Sequence, residues 1–438
     1  MSFNWGRITE EKLTKAIIVQ RRNPREPSTL DELKSLAESA GYVVVGAVEQ
    51  ARAPDPRYQV GPGKIREIAE LVKKTGAQKI IFDNPLKPVQ AYNIAKVTGV
   101  EAIDRFQLIL EIFAKRATTT EAKLQVQLAR LKYELTRAKE KVRLAKKGEQ
   151  PGFMGLGAYE VDVYYETVKK QIQTITEKLQ KIRRKRILHR ERRMELGFPT
   201  VSLAGYTNAG KSTLFTTLTD ELVPADDALF TTLSTTTRLV RLMGKKVLLT
   251  DTVGFIDRLP IALIEAFHST LEETIYSDII LLVVDVSEPV EKVERKLYVC
   301  LDTIDRIGAS GIPIITALNK IDKLSEIELH ERMDKLKDKA PKPIPVSALY
   351  GINIDLLKKE ITSELKNFVK VEFTIPVSNE TMPIISWLYS KADVQEMRYL
   401  DDGKAVKIIF EATPCFAEKV KKQVEELGGK VDGYRHQE

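Results

Sequence analysis

The 438-residue sequence carries a net charge of +8 with 43% hydrophobic and 30% charged residues, a globular balance that excludes wholesale disorder. At roughly 150 residues per domain, it is long enough for about three folded units. Its apolar runs, such as Ile279 to Val284, are too short to cross a bilayer, and no secretory signal is expected at the N-terminus. Cys300 and Cys415, the two thiols, fall in different predicted domains, which fits reduced, structural cysteines and the cytosol.

Residues 1–116 alternate strand and helix signals. Tyr42-Val43-Val44-Val45 and Lys79-Ile80-Ile81-Phe82 read as buried strands, and Ile65 to Lys73 has helical apolar spacing. Val60-Gly61-Pro62-Gly63-Lys64 is the turn into that helix, and a plain helix-opening turn is preferred there over a phosphate site. The pattern predicts a small α/β domain with a parallel sheet. Asp55, Asp83 and Asp104 are isolated acids that read as turn or capping residues rather than catalysts.

Residues 117–197 predict two long helices. Leu124, Leu128, Leu131 and Leu135 on the first, and Val168, Ile172, Ile175, Leu179 and Ile182 on the second, each form a heptad seam. The glycines and Pro151 of the stretch from Gly148 to Gly157 end the helical run, so an antiparallel helical hairpin with a flexible tip is expected. Phe153, Met154 and Leu156 in the tip either meet a partner or tuck onto a neighbouring domain. The second helix ends in a basic run that includes Arg183, Arg184, Lys185, Arg186, Arg190, Arg192 and Arg193. RNA phosphates suit such a run, and a solvated helix face is the plain alternative.

Residues 198–368 contain a phosphate-binding loop. Gly205-Tyr206-Thr207-Asn208-Ala209-Gly210-Lys211-Ser212-Thr213 fits G-x-x-x-x-G-K-[ST], between the apolar strand Thr200 to Ala204 and a helix. Its glycines let backbone N–H groups face the phosphates, Lys211 can reach the β- and γ-phosphate oxygens, and the Ser212 hydroxyl can ligate Mg²⁺. Asp251-Thr252-Val253-Gly254 follows another strand. Asp251 can hold Mg²⁺ through water, and the Gly254 N–H can contact the γ-phosphate. Asn319-Lys320-Ile321-Asp322 follows a third strand. The Asp322 carboxylate can accept from guanine's N1–H and exocyclic amine, a donor pair that adenine lacks. Ser347-Ala348-Leu349 would back the base.

In Phe230-Thr231-Thr232-Leu233-Ser234-Thr235-Thr236-Thr237-Arg238, one threonine should complete the Mg²⁺ shell and sense the γ-phosphate; Thr232 is the first choice and Thr236 the competitor. Lys211, Thr232 and Gly254 are the catalytic candidates. Phe255 stands where many small GTPases place a water-orienting glutamine, so intrinsic hydrolysis should be slow unless another group or a partner positions the water. His189 and His268 lack partners at metal-ligand spacing. Residues 369–438 show strand-like Val371 to Val377, Ile384 to Tyr389 and Ala405 to Phe410, a helix from Pro414 to Leu427, and a strand near Val431. They predict a small α+β domain, with a ferredoxin-like arrangement as one candidate.

The order and spacing of the nucleotide motifs resemble the translation-factor-like branch of the P-loop GTPases, which implies guanine specificity and slow hydrolysis. With the hairpin included, the chain is similar to HflX-type ribosome-associated GTPases over about residues 10 to 365. The resemblance rests on Val60 to Lys64, on Ile109 to Ala117 with Lys123 to Tyr133, on Phe230 to Arg238, and on Asp251 to Ile256. The sequence departs from the family at Gln150 to Glu160, where a Gly-Pro-Gly-Glu-Thr run is usual, and at Ser234-Thr235, where Asp-Pro is common. The resemblance implies Mg²⁺ as cofactor, with K⁺ a further expectation through Asn208. It also implies docking on the large ribosomal subunit, with the hairpin toward the peptidyl-transferase region, and subunit splitting under stress. Rival readings are a GTPase assisting RNA modification or ribosome assembly, and a GTP-dependent adaptor for protein partners. The expected architecture is α/β: a P-loop GTPase domain with an N-terminal α/β domain, an antiparallel helical hairpin and a small C-terminal α+β domain, monomeric when free.

Overall fold

The computed structural model describes residues 14–146, 158–195, 198–219, 236–252, 254–256, 273–365, 369–378, 380–400, 403–412 and 414–436. They group into two compact units, Met1–Lys178 and Leu179–Glu438.

The first unit alternates β1 (Thr14–Arg22), α1 (Leu30–Ser39), β2 (Tyr42–Ala51), α2 (Pro62–Thr75), β3 (Lys79–Phe82), α3 (Pro88–Thr98), β4 (Glu101–Asp104) and α4 (Arg105–Arg116). The strands form the expected parallel sheet, in the order β2-β1-β3-β4. Ile17, Val19, Ile65, Ile68, Ile80 and Phe82 fill one side of its core. Tyr42 to Val45, however, is not buried. It opens the edge strand β2, where Val43 is exposed and Val48 alone is fully covered. An apolar run cannot by itself distinguish an edge strand from a central one, and the fully buried run is Ala16 to Val19 of β1.

The three isolated acids divide by role. Asp55 Oδ1 accepts from the Arg57 and Tyr58 N–H groups in a turn. Asp104 caps α4, accepting from Gln107 N at 3.0 Å. Asp83 differs from expectation, because it is a buried ion-pair partner that accepts from Arg105 and from the Thr29 hydroxyl, each at 2.7 Å. Arg105 extends the pair to Glu32 at 2.8 Å. The long helices are α5 (Thr120–Lys146) and α6 (Ala158–Glu195). Asp104 also grips α5, accepting from the Tyr133 hydroxyl at 2.6 Å, and the Tyr133 ring stacks on Phe106 at 4.5 Å. Of the heptad positions, Leu128, Leu131, Val168 and Ile175 are buried and the others half-buried. The hairpin tip, with Phe153, Met154 and Leu156, lies outside the described residues.

The second unit holds a six-stranded sheet in the order β10-β9-β8-β5-β7-β6. Its elements are β5 (Thr200–Gly205), α7 (Lys211–Thr219), β6 (Thr236–Leu242), β7 (Lys245–Asp251), β8 (Ile279–Asp285), α8 (Val290–Arg306), β9 (Ile314–Asn319), α9 (Glu326–Leu336), β10 (Pro343–Pro345) and α10 (Ile354–Glu364). Only β6 runs antiparallel, against β7. Strand β8 is the buried apolar run Ile279 to Val284. Cys300 on α8 is buried and its thiol is pushed up to about 12 by that burial, which suits an unreactive core residue; the Cys415 side chain lies outside the description.

The same unit ends in β11 (Val369–Pro376), α11 (Thr381–Lys391), β12 (Asp393–Leu400), β13 (Ala405–Ala412), α12 (Pro414–Glu426) and β14 (Lys430–His436). This is a βαββαβ chain whose sheet, in the order β12-β13-β11-β14, is antiparallel throughout, a ferredoxin-like arrangement. The stretch Ile384 to Tyr389 is helical, not a strand. Thr381, Ile384, Ile385, Leu388 and Ala392 are buried at i, i+3, i+4, i+7 and i+11, a helical period that the β-branched residues concealed. No helix among the described residues is long and apolar enough to cross a membrane.

Replacing Arg105 with methionine leaves the Asp83 carboxylate buried without its cation, at a cost of about 3–5 kcal/mol. Hydrogen exchange should then show lost protection of the β1 and β3 amides; unchanged protection would mean the pair does not hold this sheet.

Candidate nucleotide site

The phosphate loop joins β5 to α7. At Gly210 the backbone is left-handed, with φ 93°, and an added Cβ would sit 2.2 Å from Asn319 Nδ2, so only glycine fits. Lys211 opens α7 and is buried. Its ammonium donates to Gly205 O at 3.0 Å and Tyr206 O at 2.9 Å. Burial lowers its pKa, and the nearby Asp251 carboxylate works against that shift. A side chain at Gly254 would meet Lys211 Nζ and Thr207 Cγ2, each at 2.9 Å, so the chain passes the loop with no room to spare.

Two backbone bonds stitch this loop to the segment after β7: Thr207 N donates to Phe255 O at 2.8 Å, and Phe255 N to Gly205 O at 2.9 Å. Phe255 is 2% exposed and shares a core with Tyr206 and Leu282. Both aromatic rings therefore face away from the phosphates, and the Thr252 hydroxyl is spent on Leu203 O at 2.5 Å. Of the sequence candidates, Tyr206 and Thr252 can serve a nucleotide only through their backbones.

On the base side, Asn319 is 2% exposed. Its Nδ2 donates to Ala209 O at 2.9 Å, and its Oδ1 accepts from Ala348 N at 2.9 Å. Lys320 is left-handed, with φ 68°, and donates to Asn208 O at 2.8 Å. Asp322 Oδ1 accepts from the buried Ser347 hydroxyl at 2.6 Å, which fixes the carboxylate that would read guanine. Leu349 is 69% exposed, so its side chain is available to cover a base. Sequence reading missed Asp285, which ends β8 and pairs with Lys320 at 2.7 Å. An acid at the end of a buried apolar strand was the signal.

The donor set suits Mg²⁺. Asp251 is a buried carboxylate close enough to Lys211 to influence it, and Ser212 presents a hydroxyl at the start of α7. No group of three or more His, Cys, Asp or Glu able to hold a metal occurs among the described residues. Mg²⁺ needs none, since it takes one or two protein oxygens and fills its shell with water and phosphate. Phe230, Thr231, Thr232 and Val253 lie outside the described residues, whereas Thr236 opens β6 directly opposite Asp251.

A phosphate loop at the end of a parallel strand, a buried acid ending the neighbouring strand and an Asn-Lys-Ile-Asp motif after a further strand are the arrangement of a P-loop GTPase. Four family models match in succession: "GTP-binding GTPase N-terminal" over residues 27–114, "GTP-binding GTPase Middle Region" over 116–193, "50S ribosome-binding GTPase" over 200–320 and "HflX C-terminal domain" over 332–432. The GTPase HflX of Methanocaldococcus jannaschii is 46% identical over 396 residues, covering 90% of this chain and 96% of that one. The GTPase HflX of Escherichia coli is 36% identical, covering 86% and 88% respectively. A GTP-binding protein from Sulfolobus solfataricus, solved in complex with GDP, is 28% identical with a TM-score of 0.44, covering 80% of this chain and 98% of its own. The chain belongs to the HflX family of GTPases and hydrolyses GTP.

Replacing Phe255 with glutamine should not install a working water-orienting residue, because that side chain occupies the core. The expected outcome is a loss of about 3–5 kcal/mol in G-domain stability with no gain in intrinsic hydrolysis. Faster turnover in the variant would show that residue 255 reaches the phosphates. Asp322→Asn should weaken GTP binding at least about 100-fold by removing the double acceptor, as read by fluorescence titration. A change under threefold would remove Asp322 from base recognition.

Proposed function

We propose that this GTPase is a switch that docks on the large ribosomal subunit in its GTP form and leaves after hydrolysis. The observation that carries the reading is the exposed basic stretch of α6, where Lys178, Lys181, Arg183, Arg184 and Lys185 face solvent. The side chains of Arg186, Arg190, Arg192 and Arg193 continue that run in sequence but lie outside the described set. The family description of residues 200–320 as a 50S ribosome-binding GTPase supports the same partner.

At the site, triphosphate exchanges the two carbonyl acceptors of Lys211 for β- and γ-phosphate oxygens. Ser212 and, by the sequence reading, Thr232 would hold Mg²⁺ directly and Asp251 through water, and the ion would neutralise charge on the β- and γ-phosphates. The Gly254 N–H contacts the γ-phosphate, and Leu349 and Lys320 flank the guanine. Water attacks the γ-phosphorus and the bridging bond to the β-phosphate breaks. Phe255 offers no group to orient that water, so the large subunit supplies or positions one. Asn208, exposed and left-handed with φ 61°, is the residue to which we assign help in holding K⁺ near the phosphates. The protein acts in the cytoplasm, and splitting of ribosomes under stress is the finer role that the family resemblance suggests.

GTP hydrolysis measured with and without purified large subunits tests the proposal. Stimulation should be strong at low salt and fade as salt rises. The triple variant Arg183→Gln, Arg184→Gln, Lys185→Gln should flatten the salt dependence of binding by about 2–3 in the slope of log K against log salt. No stimulation at any salt would remove the ribosome from the account and leave the GTPase intact. In the same assay K⁺ should give faster turnover than Na⁺; equal rates would exclude the cation role of Asn208.

A further inference from the structure

Among the described residues, the ferredoxin-like domain meets the G domain at the β6–β7 hairpin. That hairpin pairs seven residues a side without a bulge, from Thr236 opposite Asp251 to Leu242 opposite Lys245. Its turn is Met243-Gly244, with φ 46° and 89°, the two-residue geometry that matches strand twist and leaves little slack. One end of the hairpin is therefore in the nucleotide site and the other carries the turn.

At the turn end the charges of the two domains interlock. Lys245 pairs with Glu411 of β13 at 3.6 Å, with side chains only 12% and 8% exposed. Lys246 Nζ donates to Tyr389 O of α11 at 2.9 Å. The Asp393 carboxylate of β12 lies against Gly244, where an added Cβ would be 3.1 Å away. Gln395 Nε2 donates to Glu411 at 2.6 Å. Burial, then the neighbouring Glu411, raises the Asp393 pKa, while Arg241, Lys245 and Lys246 lower it. Three cations of the hairpin thus face two half-buried or buried acids of the last domain.

We propose that this contact is a latch coupling the docking of the C-terminal domain to the nucleotide held at the other end of the hairpin. A buried pair that loses one partner strands the other charge, so the contact is either made or broken and does not loosen gradually. A stiff hairpin anchored at Thr236 and Asp251 moves its tip when those residues adjust to GTP or GDP. Linkage makes the effect reciprocal: if the nucleotide alters docking, docking alters the relative affinity for the two nucleotides by the same factor.

The test uses the full chain and compares affinities for GDP and a non-hydrolysable GTP analogue by fluorescence titration. Glu411→Gln should change the ratio of the two affinities by about fivefold or more, and the charge-exchanged pair Lys245→Glu with Glu411→Lys should restore it. Asp393→Asn, which keeps the side-chain shape, should move the ratio in the same direction as Glu411→Gln. Hydrogen exchange should report the β12 and β13 amides differently with each nucleotide. A ratio unchanged in both single variants, or equal exchange with GDP and analogue, would overturn the latch while leaving GTP binding untouched.

Discussion

The site depends on one carboxamide. Asn319 donates to a carbonyl of the phosphate loop and accepts from an N–H of the loop after β10, so it sets the distance between phosphate and base. Both backbone groups are buried and would otherwise need other partners. The close approach also decides Gly210, because Asn319 occupies the space a Cβ would need. Lys320 adds a second tie through Asn208 and is itself held by Asp285. The cradle is thus organised by contacts between these side chains and the loops, and Asp322 and Lys211 inherit their positions from it. Preorganisation of this kind reduces the ordering cost of binding.

The N-terminal sheet uses the same architecture to the opposite end. In open parallel sheets, ligands bind outside the carboxyl ends of strands where the strand order reverses, here between β1 and β3. In this domain the chain fills that place with its own polar groups. Gln20 Nε2 donates to the Thr29 hydroxyl at 2.6 Å, Arg21 N donates to Asn84 Oδ1 at 2.8 Å, and Asp83 holds Arg105. Asp104, at the end of β4, reaches outward instead and fastens α5 through Tyr133 and Arg137. The domain therefore works as a mount for the long helix. That agrees with Gly61, whose N–H is taken by Gln50 at 2.8 Å beneath the Arg52 side chain, leaving a plain helix start.

What the sequence made legible was chemistry written in short motifs on strong strands. Gly205 to Thr213, Asp251 to Gly254, Asn319 to Asp322 and Ser347 to Leu349 each follow an apolar run, and the phosphate and base loops are joined through Asn319 as the motif order implies. What stayed hidden depends on partners distant in the chain. Asp83 looks like a turn residue until Arg105 arrives from another helix, and Lys245 looks like a surface charge until Glu411 covers it. The orientation of Phe255 was equally illegible, since position alone placed it near the water while packing turned it into the core. The misread helix α11 shows the other limit: a short apolar run rich in isoleucine fits either period until its flanks are counted.

The distribution of charge bears on which surface an RNA partner would meet. On the ferredoxin-like domain, two cations are matched by acids within reach, Lys407 with Glu372 and Arg398 with Glu396, and Glu411 takes Lys245 of the hairpin. The Thr374 hydroxyl adds a bond to Asp432 at 2.6 Å. Displacing such pairs costs a partner as much as it returns. Between Lys178 and Arg190 on α6, by contrast, no acid occurs at all, so like charges stand one turn apart and destabilise the helix slightly. Phosphates would relieve that repulsion, so α6 is the stretch from which the proposed RNA contact would gain most.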